Sequence, residues 1–188
     1  LFRAGLDSVE IGIGDNLLAA PWIRTLVRIN KSFIVQRGLP VREMPKAFLE
    51  LSGYIRHAIT KKQTGVWIAQ REGRAKDAND RTQESILKMF ALSGTKSFIE
   101  NLKELNFCHA TISYEYDPCD YLKAKEFQQK RDNATFKKSP QDDLLNMKTG
   151  IMGDKGHVHF TFTPSINSEL EQIAASVDHR KEQIEEIV

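Results

Sequence analysis

The chain has 188 residues, 40% of them apolar, and a formal net charge of +2. It can bury a sizeable core and reads as one domain over 1–188, while so small a net charge excludes a general nucleic-acid binder. No apolar run approaches the roughly 20 residues that span a bilayer, and none reads as a signal peptide. Leu1 stands inside an apolar pattern without a preceding Met, as expected of a piece whose N-terminal part is missing. Cys108 and Cys119 lack metal-ligand spacing and are expected as reduced thiols in a cytoplasmic setting.

Taken in order, Leu1 to Leu6 reads as a helix tail stopped near Gly5, and Val9 to Ile13 alternates as a short strand. Gly12 and Gly14 form a Gly-x-Gly without the third glycine or long helix of a dinucleotide site. Asp15 or Asn16 can cap the next segment, and Pro21 opens a helix to about Ile29. Its face of Trp22, Ile23, Leu26 and Val27 suits either core or a lipid surface. Phe33 to Val35 is the second strand, ending at Arg37 and Gly38. From about Val41 to Lys61, Met44, Phe48, Leu51, Ile55 and Ile59 recur at helical spacing and predict a core stripe. His57, near the end of that helix, reads as a surface residue.

Val66 to Ala69 has the composition of a buried strand, and strand–helix–strand makes a right-handed parallel crossover. It delivers a charged stretch in which Arg71, Arg74, Lys76 and Arg81 alternate with Glu72, Asp77 and Asp80 around Gly73. By composition alone a solvated loop is the plainer reading. Cations and a glycine beyond a strand's carboxyl end also suit a phosphate or carboxylate. Arg37 and Glu72-Gly73-Arg74 would share that edge if their strands lie close together.

Helices are predicted over Glu84–Leu92, Lys96–Leu105 and Tyr121–Lys130, and a strand over Cys108–Tyr114. Glu115 at that strand's exit reads as an exposed carboxylate. Residues 131–156 predict an irregular connection. Gly156 to Phe162 alternates as a strand with His157 and His159 on one face, a possible metal pair that lacks a third ligand nearby. A last helix is predicted over 168–188, with Ser168 and Glu171 as a capping box.

Four segments, in order, resemble the glycerolipid acyltransferases that make lysophosphatidate and phosphatidate. Gly14-Asp15-Asn16-Leu17-Leu18 with Pro21-Trp22 is similar to the segment before the family's second block, and Phe33-Ile34-Val35-Gln36-Arg37 to that block itself. Trp67 to Ala69 followed by Glu72-Gly73-Arg74 resembles the third block, and Ala110 to Glu115 the fourth. Three departures stand out. Ala75 fills the place of the family's arginine, with Arg74 and Lys76 beside it; the fourth block lacks its usual proline; and His-x-x-x-x-Asp, the first block, is absent.

The resemblance implies an α/β domain, a mainly parallel or mixed central sheet flanked by helices, of the glycerolphosphate acyltransferase type. It implies transfer of an acyl chain from acyl-CoA or acyl-carrier protein to a hydroxyl of lysophosphatidate or a related glycerol phosphate. Arg37, Arg74 and Lys76 are then the phosphate's cations, with Glu72 locking an arginine and Gly73 allowing close approach. The catalytic His and Asp are expected upstream of Leu1. No metal or bound cofactor is implied; peripheral contact with a membrane is. The competing reading is a non-catalytic domain binding a phosphorylated ligand or an anionic membrane surface.

Overall fold

The computed structural model describes residues 5, 7–15, 18, 21–71, 79 and 81–188. The expected helix tail at Leu1–Leu6 therefore lies outside the described residues, apart from Gly5. In chain order the elements are β1 (Glu10–Gly14), α1 (Pro21–Ile29), β2 (Ser32–Val35), α2 (Met44–Thr60), β3 (Val66–Trp67), α3 (Glu84–Ala91), α4 (Phe98–Lys103), β4 (Cys108–Tyr114), α5 (Asp120–Asp132), α6 (Pro140–Met152), β5 (Val158–Ser165), α7 (Asn167–Ser176) and α8 (Arg180–Ile187). The chain is α/β. Where the sequence reads as one domain, the packing divides it into two compact units, 1–107 with 165–188, and 108–164.

In the first unit a parallel sheet runs in the order β2-β1-β3. Gly14 pairs with Val35, and Ile11 lies between Ser32 and Trp67. The connections β1→β2 and β2→β3 cross the sheet in opposite directions, so right-handed crossovers place α1 and α2 on opposite faces. The face under α2 is closely packed. Phe33 meets Tyr54 with ring centroids 5.1 Å apart. A Cβ at Gly12 would stand 3.0 Å from the Phe33 ring and 3.3 Å from Ile68, so a side chain at this strand position would press on both. Val66, Ile68 and Phe33 pack onto a core of Ile55, Phe90, Ile99, Leu102, Leu105 and Leu170.

The predicted stripe of α2 holds at Ile55, which is 1% exposed, but its first member, Met44, remains partly in water. The helix starts later than Val41 because Glu43 N–H closes a turn onto Pro40 O at 2.8 Å and Pro45 occupies the first helical turn. β3 is shorter than predicted, pairing only with Glu10 and Ile11.

Two corrections concern helices. Residues 131–156 are not wholly irregular, because α6 occupies 140–152. Its start is a reciprocal cap: Asp142 N–H donates to Ser139 Oγ at 3.2 Å, and Ser139 N–H to Asp142 Oδ2 at 3.0 Å. The C-terminal helix over 168–188 is two helices. Val177 is extended, a conformation its β-branch favours, and Gln183 Nε2 holds its carbonyl at 2.8 Å. Ser168 lies inside α7 and bonds Glu169, so the expected capping box does not form.

Glu10, 6% exposed at the opening of β1, accepts from Lys62 Nζ and from the Tyr54 hydroxyl. The Lys62 bond first, then the Tyr54 bond, holds its carboxyl below the ordinary glutamate range, and donation to it raises the Tyr54 hydroxyl. With the folded value below the unfolded one, this stabilisation is fully present above roughly pH 4.3 and is lost as pH falls through the folded value. Glu10→Gln is expected to cost about 1.5–3 kcal/mol at neutral pH. It should also make stability less steep in acid, as urea unfolding at a series of pH values will read.

In the second unit β4 and β5 form a two-stranded sheet of their own. The predicted strand at Cys108–Tyr114 thus forms, with β5 and not the parallel sheet as its partner. Among the described residues, no helix is long and apolar enough to cross a membrane.

Candidate functional site

The first unit's parallel strands all end at one edge, which carries Asp15, Arg37 and the chain beyond Trp67. In the order β2-β1-β3 the switch point, where ligands enter a doubly wound sheet, falls between β1 and β3, whose carboxyl ends carry Asp15 and the chain beyond Trp67. Asp15 is also joined to the end of β2. Arg37 N–H donates to Asp15 Oδ2 at 3.3 Å, fixing the turn after β2 against the end of β1. The Arg37 guanidinium, half-buried, meets no carboxylate among the described residues. Arg37 therefore stands where the sequence predicts, at the carboxyl end of β2, on the strand next to β1.

Beyond β3, Gln70 acts as a clasp. Its carbonyl accepts from Gln83 N–H at 2.9 Å, and its Oε1 from the Thr82 hydroxyl at 3.3 Å. Arg71 Nη1 donates to Asn79 O at 3.0 Å, and Arg81 Nε to Asn79 Oδ1 at 3.3 Å. Gln70 and Arg71 are thus tied to Asn79, Thr82 and Gln83, which draws the described chain on either side of residues 72–78 into a neck. Glu72, Gly73, Arg74 and Lys76 lie outside the described residues. β2 and β3 both flank β1, so Arg37 and the neck belong to strands roughly 10 Å apart, two strand spacings.

Asp15 is the residue that sequence reasoning did not place in the site; it read as a helix cap and as part of the segment before the second block. Its signal was position: a carboxylate directly after a strand-ending glycine, in the strand beside Arg37. With Oδ2 engaged by the Arg37 backbone, Oδ1 has no partner among the described residues. The carboxyl edge of the sheet thus carries a cation and a hydrogen-bond acceptor on neighbouring strand ends. An anion alone would be repelled by the carboxylate, whereas a molecule with a phosphate and a hydroxyl satisfies both groups.

The remaining candidates lie elsewhere. Glu115 lies just past the end of β4 and beside the start of β5, where Oε2 accepts from His157 N–H at 2.9 Å. His157 Nε2 lies 3.9 Å from the same oxygen, on a ring that is almost wholly exposed. Among the described residues no three His, Cys, Asp or Glu side chains converge as a metal site would require. Cys108 is exposed and Cys119 buried, and neither is in a disulfide.

No family model, curated protein or solved structure matches the chain.

Proposed function

We propose that the chain is the acceptor-holding part of a glycerolphosphate acyltransferase domain. The acyl donor is acyl-CoA or acyl-carrier protein, and the acceptor is lysophosphatidate or a related glycerol phosphate. The observation that carries the reading is the joining of Arg37 to Asp15 at the ends of neighbouring strands, by a bond from the Arg37 backbone N–H to Oδ2, while among the described residues the guanidinium meets no carboxylate and Oδ1 has no partner. In this reading Arg37 holds the acceptor phosphate from one strand end, and Arg74 with Lys76 from the other. Asp15 takes a hydrogen bond from the glycerol, and Glu72 fixes an arginine. A phosphate held from two sides presents one hydroxyl in a single orientation, which supplies the proximity that attack on a thioester carbonyl needs. The protein works in the cytoplasm as a peripheral membrane protein, because its acceptor and product are lipids.

Calorimetric titration with glycerol 3-phosphate, and with glycerol and inorganic phosphate separately, tests the acceptor site. The joined molecule is expected to bind more tightly than either part; equal affinity for inorganic phosphate and glycerol 3-phosphate would overturn the pairing of Arg37 with Asp15.

The transfer also needs a base for the hydroxyl proton. None of His57, His109, His157, His159 and His179 is followed by Asp in the His-x-x-x-x-Asp spacing. Residues 1–188 alone are therefore expected to bind acceptor without turnover of acyl-CoA and lysophosphatidate. Clear turnover would sink this account of the base. If a longer chain bearing His-x-x-x-x-Asp also bound without turnover, the non-catalytic reading would replace transfer.

A further inference from the structure

Helix α1 carries an apolar face that the fold leaves uncovered. Trp22, Leu26 and Ile29 recur at i, i+4 and i+7 and so share one side of the helix. They are 57%, 46% and 74% exposed, whereas Ile23, on the sheet side, is buried. Strand alternation extends the patch. Phe33 faces α2, so Ile34 points to the α1 side of the sheet, and it too is half exposed.

The charge around this patch has one sign. Between Asp15 and Glu43 the sequence has no carboxylate, but it has Arg24, Arg28, Lys31, Arg37 and Arg42. Lys31 pairs with Asp7, and Arg42 lies 3.6 Å from Glu43. Arg24 and Arg28, on the helix itself, meet no carboxylate among the described residues; Arg24 Nε donates to Leu18 O at 3.3 Å. An anionic lipid surface satisfies the apolar stripe and the cations together.

We propose that α1 is an interfacial helix that lies on an anionic membrane. Trp22, Leu26 and Ile29 enter the boundary between headgroups and acyl chains. Arg24 and Arg28 occupy the polar side, where long apolar stems let guanidinium groups reach lipid phosphates. In a strand–helix–strand unit the helix starts at the strands' carboxyl edge, so the Trp22 end of the stripe lies toward the edge that carries Asp15 and Arg37. This surface deepens the acyl-transfer reading by naming how a lipid acceptor approaches that edge, and it is tested apart from that reading.

The experiment is sedimentation of the full chain with phosphatidylcholine vesicles, with and without phosphatidylglycerol, at low and high salt. Binding is expected only to the anionic vesicles and is expected to fall with salt. In Trp67→Phe, the emission of the remaining Trp22 should shift to the blue on binding. Leu26→Glu and Ile29→Glu change exposed positions, so the fold is retained, as circular dichroism will show. Each is expected to weaken vesicle binding roughly tenfold or more, while glycerol 3-phosphate binding in solution stays unchanged. Absence of vesicle binding, or binding indifferent to both substitutions, overturns the proposal. A dimer that both substitutions abolish, without any lipid binding, overturns it in favour of a second copy. Loss of glycerol 3-phosphate binding in Arg37→Ala with vesicle binding intact supports the surface, because it separates the two sites.

Discussion

Arg37→Ala is expected to weaken glycerol 3-phosphate binding by about 1.5–3 kcal/mol, roughly tenfold to more than a hundredfold, without unfolding the chain. The guanidinium supports no hydrogen bond that the described fold needs; its backbone N–H, which binds Asp15, survives the substitution. Arg37→Lys should fall between the two, because it keeps the charge and loses the planar fork that meets two phosphate oxygens at once. Asp15→Asn separates the two halves of the site. It keeps an acceptor for the Arg37 N–H and removes the negative charge, so inorganic phosphate should bind more tightly. The preference for the glycerol ester over inorganic phosphate should shrink. In the same titration Arg74→Lys should cost more than Lys76→Met, if an arginine fork makes the second grip on the phosphate. Unchanged affinity in Arg37→Ala would remove the site; the reverse order for Arg74 and Lys76 would exchange their roles.

The parts of the fold that the sequence reveals are those whose signal is local. Val-Glu-Ile-Gly-Ile alternates and becomes β1, Pro21 opens α1, and the spacing from Phe48 to Ile59 marks α2. α6 shows the limit of that signal. Leu144, Leu145, Ile151 and Met152 all remain exposed, so no core-facing stripe announces the helix, and only the Ser139–Asp142 cap does. The break at Val177 is hidden for the opposite reason. Leu170, Ile173, Ile184 and Ile187 continue an apolar pattern across it, although Leu170 and Ile184 reach the core from two separate helices. Strand order is not a local property. That β1 lies between β2 and β3 is set by tertiary packing, and the pairing of β1 with β2 is what brings Asp15 to Arg37. Sequence reasoning could therefore name Arg37 as a cation at a strand end and still miss its carboxylate neighbour. The pairing of β4 with β5 is of the same kind: each strand alternates visibly, but neither names its partner.

Asn101→Leu is expected to be the costliest single substitution in the first unit, at about 3–4 kcal/mol. Asn101 is 4% exposed, and its amide organises the connection from α3 to α4. Oδ1 accepts from Lys96 N–H at 3.1 Å, while Nδ2 donates to Lys96 O at 3.0 Å and to Ala91 O at 3.3 Å. Leucine has a similar size but leaves these backbone groups unpaired beside Ile99 and Leu102, two of the most buried core side chains. Asn101→Asp keeps the acceptor for Lys96 N–H and sets a carboxylate against two carbonyl oxygens. Burial and those dipoles would raise its pKa, so its deficit should shrink as pH falls, which a purely steric defect would not do. Gly94 reports on the same amide from outside. A Cβ there would stand 2.0 Å from Asn101 Oδ1 and 2.1 Å from Cγ, against a group held by three hydrogen bonds and unable to swing away. Gly94→Ala should therefore cost about 1–3 kcal/mol alone, and much less in an Asn101→Ala background, where the space is free. Urea unfolding of the four members of that cycle measures the coupling directly. Additive costs would mean that Gly94 is needed for its backbone alone. A strong coupling would instead show that the missing side chain at Gly94 makes room for the amide joining α3 to α4.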